Sequence, residues 1–255
     1  MKIIGIVPAR MAASRFPGKP LYPILGRPMI EHVIKRAALY PRWDHLVLAT
    51  CDEEIAAYGE SSGTPVIMTG DHHTRALDRV AEAATKVEGG VSDKDIVVCV
   101  QGDEPMLNPD MIAAVVDPIL NEEKVVATLL GTHIIEESVW LNPDTVKIAS
   151  NAEGEILYTS RCPIPYAAKG FSPDLEARRV SGIFAFEWWA LKAFTEHPET
   201  RLERVESCDS NRILDMPYRQ RLAPYPAKKF YSVDSPEDIA LVESGLREDP
   251  LWGQY

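Results

Sequence analysis

Arg10, Arg15 and Lys19 share the segment RMAASRFPGK, where Pro17, Gly18 and the following Pro20 leave little side-chain bulk and favour a tight loop. Asp103-Glu104 stands far along the chain, after a long apolar run, and Asp234 follows Tyr231-Ser232-Val233. Three cations with separate carboxylates suit a polyphosphate bound together with a divalent metal. The cations neutralise phosphate oxygens, and the carboxylates offer hard oxygen ligands to an ion such as Mg²⁺, which keeps several waters and takes one or two protein carboxylates. Each residue also has a plainer reading. Arg and Lys can be solvated loop charges, Asp103 the cap of a helix starting near Pro105, and Asp234 the N-cap before Ser235-Pro236. Glu104 is either an aid to the metal or a helix cap. The Walker pattern GxxxxGK[ST] is absent, so this is no P-loop NTPase.

Such a site needs a scaffold that gathers the ends of distant segments. Ile3–Pro8 reads as a buried strand, followed by a helix on the spacing Ile30, Val33, Ile34 and Ala37. His45–Thr50 reads as a second strand, with Asp52 capping a helix over 53–58. A third strand over 65–68, a helix over 77–86, the strongest strand over 95–101 and a helix over 109–120 complete a β-α alternation. This pattern predicts an α/β fold with an open, mostly parallel sheet, whose ligands bind beyond the carboxyl ends of the strands. The rhythm then changes. Strands over 125–130, 145–150 and Ile156–Ser160, with no helices between them, predict an antiparallel sub-domain over roughly residues 125–185 inside one domain of 1–255. A strand over 180–186, a helix over 188–194, a last strand over 231–233 and a closing helix over 239–246 follow. Pro236 is expected in that helix's first turn.

Composition narrows the classes further. The 255 residues are 45% hydrophobic and 25% charged, with a net charge of −11. Duplex nucleic acid is a poor partner for such a chain, because affinity for it rests on Lys and Arg. No apolar run approaches the ~20 residues that span a bilayer. The start MKIIGIVPAR reaches Arg10 too soon for a signal peptide, so a cytoplasmic protein is expected. Cys51, Cys99, Cys162 and Cys208 lie far apart, which predicts buried free thiols.

The segments IVPARMAASRFPGKPL, GRPMIEHVIKRA, DRVAEA, DIVVCVQGDEP, NPDTVKIA, YTSRCPIPY and YSVDSPEDIALVE, in order from Ile3 to Glu243, resemble the 3-deoxy-manno-octulosonate (KDO) cytidylyltransferase family. The resemblance implies a Rossmann-like nucleotidyltransferase with a small antiparallel dimerisation sub-domain, and hence a homodimer. It implies Mg²⁺-dependent attack of the anomeric hydroxyl of a 2-keto sugar acid on the α-phosphorus of CTP. Carried over residue by residue, Arg10, Arg15 and Lys19 hold the triphosphate, and Lys19, Asp103 and Asp234 are catalytic. Pro8 and Ala9 help form the nucleotide pocket, with Arg79 retained nearby. Asp103 and Asp234 bind Mg²⁺. Gln101 faces the sugar, and Arg161 sits near its carboxylate.

Departures from that pattern cluster. The family's His-x-Ser-Gly-Thr-Asp/Glu-Arg reads His73-Thr74-Arg75-Ala76-Leu77-Asp78-Arg79 here, which puts a planar five-donor cation, Arg75, at the nucleotide pocket. The usual His-Ile-Gly-Ile-Tyr strand reads Val180-Ser181-Gly182-Ile183-Phe184, a later Tyr is Phe186, and Asp209-Ser210 replaces a Glu-Gln pair on the acceptor side. A buried polar group left without its partner costs about 1–3 kcal/mol. The changes therefore predict KDO itself or a modified, KDO-like ulosonic acid as acceptor, with a phosphonate or another acid as the alternative. From another class, the chain reads as a non-catalytic nucleotide-sugar binder, although such a binder has no need of Asp103 and Asp234. His72-His73 has no third ligand at a suitable spacing in the sequence and reads as loop surface. Trp188-Trp189 reads as core or dimer contact, and Cys162 has no His beside it to act as base.

Overall fold

The computed structural model describes residues 1–12, 15–227 and 230–255, in two compact units: Met1–Ala113 with Lys229–Tyr255, and Ala114–Lys228. The second unit is wider than the expected insertion of roughly residues 125–185, because helices and a strand on either side of that span pack with it.

In the first unit β1 (Ile3–Pro8) is buried throughout, as an apolar strand covered on both faces must be. A hairpin of β2 (Pro23–Ile24) and β3 (Arg27–Pro28) turns at Leu25 and Gly26, both at positive φ, as a tight two-residue turn demands. Then come α1 (Met29–Ala38), β4 (His45–Thr50), α2 (Glu53–Ser61), β5 (Val66–Met68), α3 (Ala76–Thr85) and β6 (Ile96–Val100). The four long strands run in the order β6-β1-β4-β5, all parallel, with Ile4 opposite both His45 and Val97. Helix α1 buries Met29, Ile30, Val33, Ile34 and Ala37, the face its spacing predicts. Arg36 of the same helix is fully buried, yet it donates to the Leu107 and Met106 carbonyls and to Asp249 at 2.6 Å.

Helix α4 (Pro109–Asn121) carries the chain into the second unit. There β7 (Ala127–His133), α5 (Glu137–Leu141), β8 (Lys147–Ser150), β9 (Ile156–Ser160), β10 (Arg178–Glu187), α6 (Trp188–Glu196), α7 (Arg201–Glu206) and β11 (Arg221–Tyr225) follow. Strand β10 pairs antiparallel with β7 and β8, β8 with β9, and β11 runs parallel to β7. The closing helix α8 (Asp238–Glu248) belongs to the first unit. Among the described residues no helix is long and apolar enough to cross a membrane.

Several expectations need correction. Helix α5 interrupts strands expected to follow without helices; at five residues it is too short to show a period. Helix α7 and β11 were not expected either, and α7, rich in charge, is held by a capping box between Thr200 and Glu203. Residues 231–233 form no strand: the Val233 N–H bonds the Asp103 carbonyl instead of a ladder. Pro236 lies in the turn before α8. Asp52 sits at the N-cap of α2, but its carboxylate accepts the Met11 N–H. Of the four free cysteines, Cys99 and Cys208 are buried, whereas Cys51 is half-buried and Cys162 exposed.

Inside the second unit Arg212 grips Glu203 with two hydrogen bonds of 2.9 and 2.6 Å, and both side chains are buried. Removing the cation leaves a carboxylate stranded in a dry interior. Arg212→Ala is expected to cost about 3–5 kcal/mol in urea unfolding; a loss below about 1 kcal/mol, the worth of an exposed pair, would show the interior to be wet.

Candidate active site

The first unit holds a cavity of about 280 Å³ at the carboxyl ends of β1 and β6. Pro8, Ala9, Arg10, Arg15, Lys19, Arg75, Arg79, Gln101, Asp103 and Asp234 all line it, together with Phe16, Pro20, Met29, His73, Thr74, Ala76 and Gly102. The first ten are residues the sequence singled out. Of the others, Met29 and Ala76 open α1 and α3, and the rest come from the loops and turns between elements. Gly102 is one case with a clear reason: a Cβ there would stand 2.8 Å from the Pro8 carbonyl oxygen, so only glycine lets the ends of β1 and β6 approach this closely.

Local folding places each cation. Gly18, at φ 75°, turns the loop back so that its N–H bonds the Met11 carbonyl, and Lys19 opens the short 3₁₀ turn Lys19–Leu21. The Lys19 ammonium donates to Asp103 at 3.1 Å and to the Val233 carbonyl at 2.6 Å. Asp103 therefore caps no helix; α4 begins only at Pro109. Asp234 is not a cap either. The N-cap of α8 is Glu237, with no side-chain cap, and the Asp238 carboxylate accepts the Asp234 and Ser235 N–H groups from the turn before it. Glu104 is buried and accepts from the Ser232 hydroxyl at 2.8 Å.

Arg15 meets Asp234 at 2.8 Å, with about half of each side chain's surface accessible. Such an exposed pair contributes at most about 1 kcal/mol, so a phosphate can replace the carboxylate at small cost. Loss of water around Asp234 and then the charge of Asp103 push its carboxyl above the ordinary range, while Arg15 and Lys19 pull it back. Two carboxylates that repel each other are a donor set a divalent cation relieves, and their hard oxygens fit Mg²⁺. Arg79, which lines the cavity, is buried and donates to Thr69 and to the Gly70 carbonyl, and among the described residues its Nη2 has no hydrogen-bond partner. A ligand oxygen would satisfy it. Arg10 reaches the His73 carbonyl at 3.4 Å, and Arg75 occupies the N-cap of α3 without capping it.

Arg161 and Asp209 belong to the second unit. The Arg161 guanidinium donates to the carbonyls of Glu206, Pro143 and Ser207, and its own N–H meets the Glu206 carboxylate at 3.0 Å. Asp209 opens the 3₁₀ helix Asp209–Asp215, in which Asn211 stitches β9 through Thr159. Phe184 and Phe186, standing where the family has Tyr, are core, with Phe186 packed 5.8 Å from Phe194. Trp188 is buried, and Trp189 packs edge-on against Tyr218.

A parallel α/β sheet that gathers cations and carboxylates at its carboxyl edge is what a nucleotidyltransferase requires. The cytidylyltransferase family matches residues 4–221. The chain belongs to that family and, within it, to the 3-deoxy-manno-octulosonate cytidylyltransferases. It is 42% identical over 247 residues to the enzyme of that name from Nitratidesulfovibrio vulgaris, covering 96% of each chain. The mitochondrial enzyme of Arabidopsis thaliana is 36% identical, with 97% of this chain and 84% of that protein covered. The solved structure of CMP:2-keto-3-deoxy-manno-octonic acid synthetase complexed with CTP superposes with a TM-score of 0.87 at 30% identity, covering 97% of this chain and 99% of that one. A 4-diphosphocytidyl-2C-methyl-D-erythritol synthase from Anaerococcus prevotii, at 16% identity and a TM-score of 0.64, shares the fold.

Lys19→Met is expected to lower nucleotidyl transfer at least about 10²-fold with an unchanged far-UV spectrum, as loss of a preorganised charge does; near-normal turnover would remove Lys19 from the site. In the second unit, burial pushes the Glu206 carboxyl up, but hydrogen bonds from Tyr158, the Arg161 N–H and Ser160 outweigh it and hold it below its ordinary 4.5. Stability from this group is present above pH 4.5 and drains away as the pH falls toward the depressed value. Glu206→Gln should flatten that acid limb in urea midpoints measured between about pH 6 and about pH 3; an unchanged slope would contradict the assignment.

Proposed function

We propose that this enzyme transfers the cytidylyl group of CTP to the anomeric hydroxyl of a 2-keto sugar acid of the 3-deoxy-manno-octulosonate class, releasing pyrophosphate. The observation that carries the reading is the convergence of Arg10, Arg15 and Lys19 with Asp103 and Asp234 on one cavity. The activity for which its relatives are named, and the CTP in the solved relative, support it.

The chemistry follows from charge. The acceptor hydroxyl oxygen forms a bond to the α-phosphorus, the bond to the bridging oxygen of the β-phosphate breaks, and the hydroxyl proton passes to solvent. Nucleotidyl transfer of this kind needs in-line positioning and cancellation of charge more than covalent participation by the protein. Arg15 and Lys19 neutralise phosphate oxygens, releasing carboxylates that they hold in the free enzyme. Arg79 Nη2 and Arg75 offer donors to the nucleotide, while Pro8 and Ala9 bring backbone close to it. Gln101, in the wall of the cavity, faces the acceptor. Asp103 and Asp234 would hold Mg²⁺, which would supply charge neutralisation for the transferring phosphoryl and a lower pKa for the attacking hydroxyl. In this reading the enzyme works in the cytoplasm as a homodimer through its second unit, with neither nucleic acid nor membrane as partner.

A second reading concerns the acceptor alone. Val180, Phe184 and Phe186 put apolar groups where the family's pattern has an imidazole and phenols, and Phe184 and Phe186 are core. Core phenylalanines do not line an acceptor pocket, so of the three only Val180, which is half-buried, bears on the choice between KDO and a modified ulosonic acid. Pyrophosphate release with Mg²⁺, all four NTPs and a panel of KDO, an 8-amino analogue, neuraminic-type acids and alkylphosphonates separates the readings. Release with CTP and a KDO-class acid, abolished by Asp103→Asn, is the expected result; silence across the panel would leave a binding protein.

A further inference from the structure

Around His73, which lines the cavity, stands a group of side chains to which nucleotidyl transfer gives no role. His72 and His73 precede α3, and Glu82 lies nine residues beyond His73 on that helix. The fold returns Glu82 to the loop, so that one ligand atom from each of the three residues lies within 4.8 Å of the others. No spacing rule along the chain finds this third ligand. It depends on the loop from Thr69 to Arg75 doubling back over the second turn of α3.

The surroundings keep the three together. The Gly70 N–H donates to both Glu82 oxygens, at 2.9 and 3.2 Å, and Lys86 holds Oε1 at 2.6 Å. This leaves Oε2 beside His73 Nε2. The His72 and His73 rings stand 4.2 Å apart, and His72 lies so close over Gly70 that a Cβ there would meet its Cε1 at 2.3 Å. Burial pushes the Glu82 carboxyl up, but Lys86, the Gly70 N–H and His73 outweigh it and bring it down to about 2, so it is ionised at any working pH.

We propose that His72, His73 and Glu82 form a binding site for a divalent transition-metal ion of the zinc class, separate from the carboxylates of the cavity. Two imidazoles and one carboxylate are a ligand set that zinc accepts, with a fourth position left for water. Tetrahedral bonds of about 2.0–2.1 Å place ligand atoms roughly 3.4 Å apart, a separation these side chains reach by small rotations. Magnesium, which prefers an all-oxygen octahedron and retains its waters, is a poor occupant. The ion would clasp the start of α3 to the loop that supplies His73, Thr74 and Arg75 to the cavity wall.

The test is equilibrium dialysis of the metal-free full chain against Zn²⁺ in millimolar Mg²⁺, with the absorption spectrum of bound Co²⁺ as a second readout. One equivalent is expected, with a tetrahedral Co²⁺ spectrum. His72→Ala, at an exposed residue whose loss spares the fold, and Glu82→Gln, which keeps the Gly70 hydrogen bond, should each weaken Zn²⁺ binding at least about tenfold. Asp103→Asn should leave it unchanged. Absence of stoichiometric binding, undiminished affinity in the His72 or Glu82 variant, or loss of the ion in Asp103→Asn would each overturn the proposal.

Discussion

Lys19 shares its ammonium between the Asp103 carboxylate and the Val233 carbonyl, and the remainder of the active site depends on that sharing. Three remote stretches of chain meet at one cation: the loop after β1, the end of β6 and the segment leading to α8. Only a mostly buried lysine, its side chain 13% exposed, can be held this firmly. The Val233 N–H closes the same junction from the other side by bonding the Asp103 carbonyl. Asp103 and Asp234 are thereby brought close enough for the charge of one to raise the pKa of the other. The free site is electrostatically strained in the sense that matters for binding. It holds cations that would rather meet phosphate and carboxylates that would rather meet a divalent ion.

That arrangement also shows how a chain of net charge −11 can receive an anionic nucleotide and an anionic acceptor. Positive charge is concentrated at the cavity, where low-dielectric walls sharpen its field, while the acidic excess lies elsewhere. The second unit is built on other terms. Its polar residues are spent on internal ties: Arg212 on Glu203, Asn211 on β9, Lys147 on three backbone carbonyls and Arg161 on three more. Arg161 and Arg212 lie in segments whose sequence reads as acceptor-binding, yet in this structure both guanidiniums serve the fold.

The parallel strands were legible because each is a continuous apolar run with a polar end; the bounds of β1 and β4, and those of the antiparallel β9, agree to the residue. The cations after β1 and Asp103 after β6 were legible for a related reason, since each follows such a run, whereas Asp234 follows no strand. What stayed hidden was structure made by tertiary contact. Helix α5 has five residues, β11 contains Pro224, and α7 is mostly charged, so none carries a periodic signal. The capping box at Thr200 and Glu203 was the one local clue to α7. Asp52 reads as a cap because nothing along the chain announces that Met11 will present its N–H there. Glu82 and Gly102 matter only through what the fold brings to them.

The most direct test of the account is the crystal structure of this chain with CTP. The account predicts the triphosphate inside the cavity, its oxygens about 3 Å from Arg15 and Lys19, with the Arg15–Asp234 pair opened and Arg79 Nη2 given a partner. A triphosphate bound outside the cavity, with Lys19 and Arg15 still on their carboxylates, would contradict it.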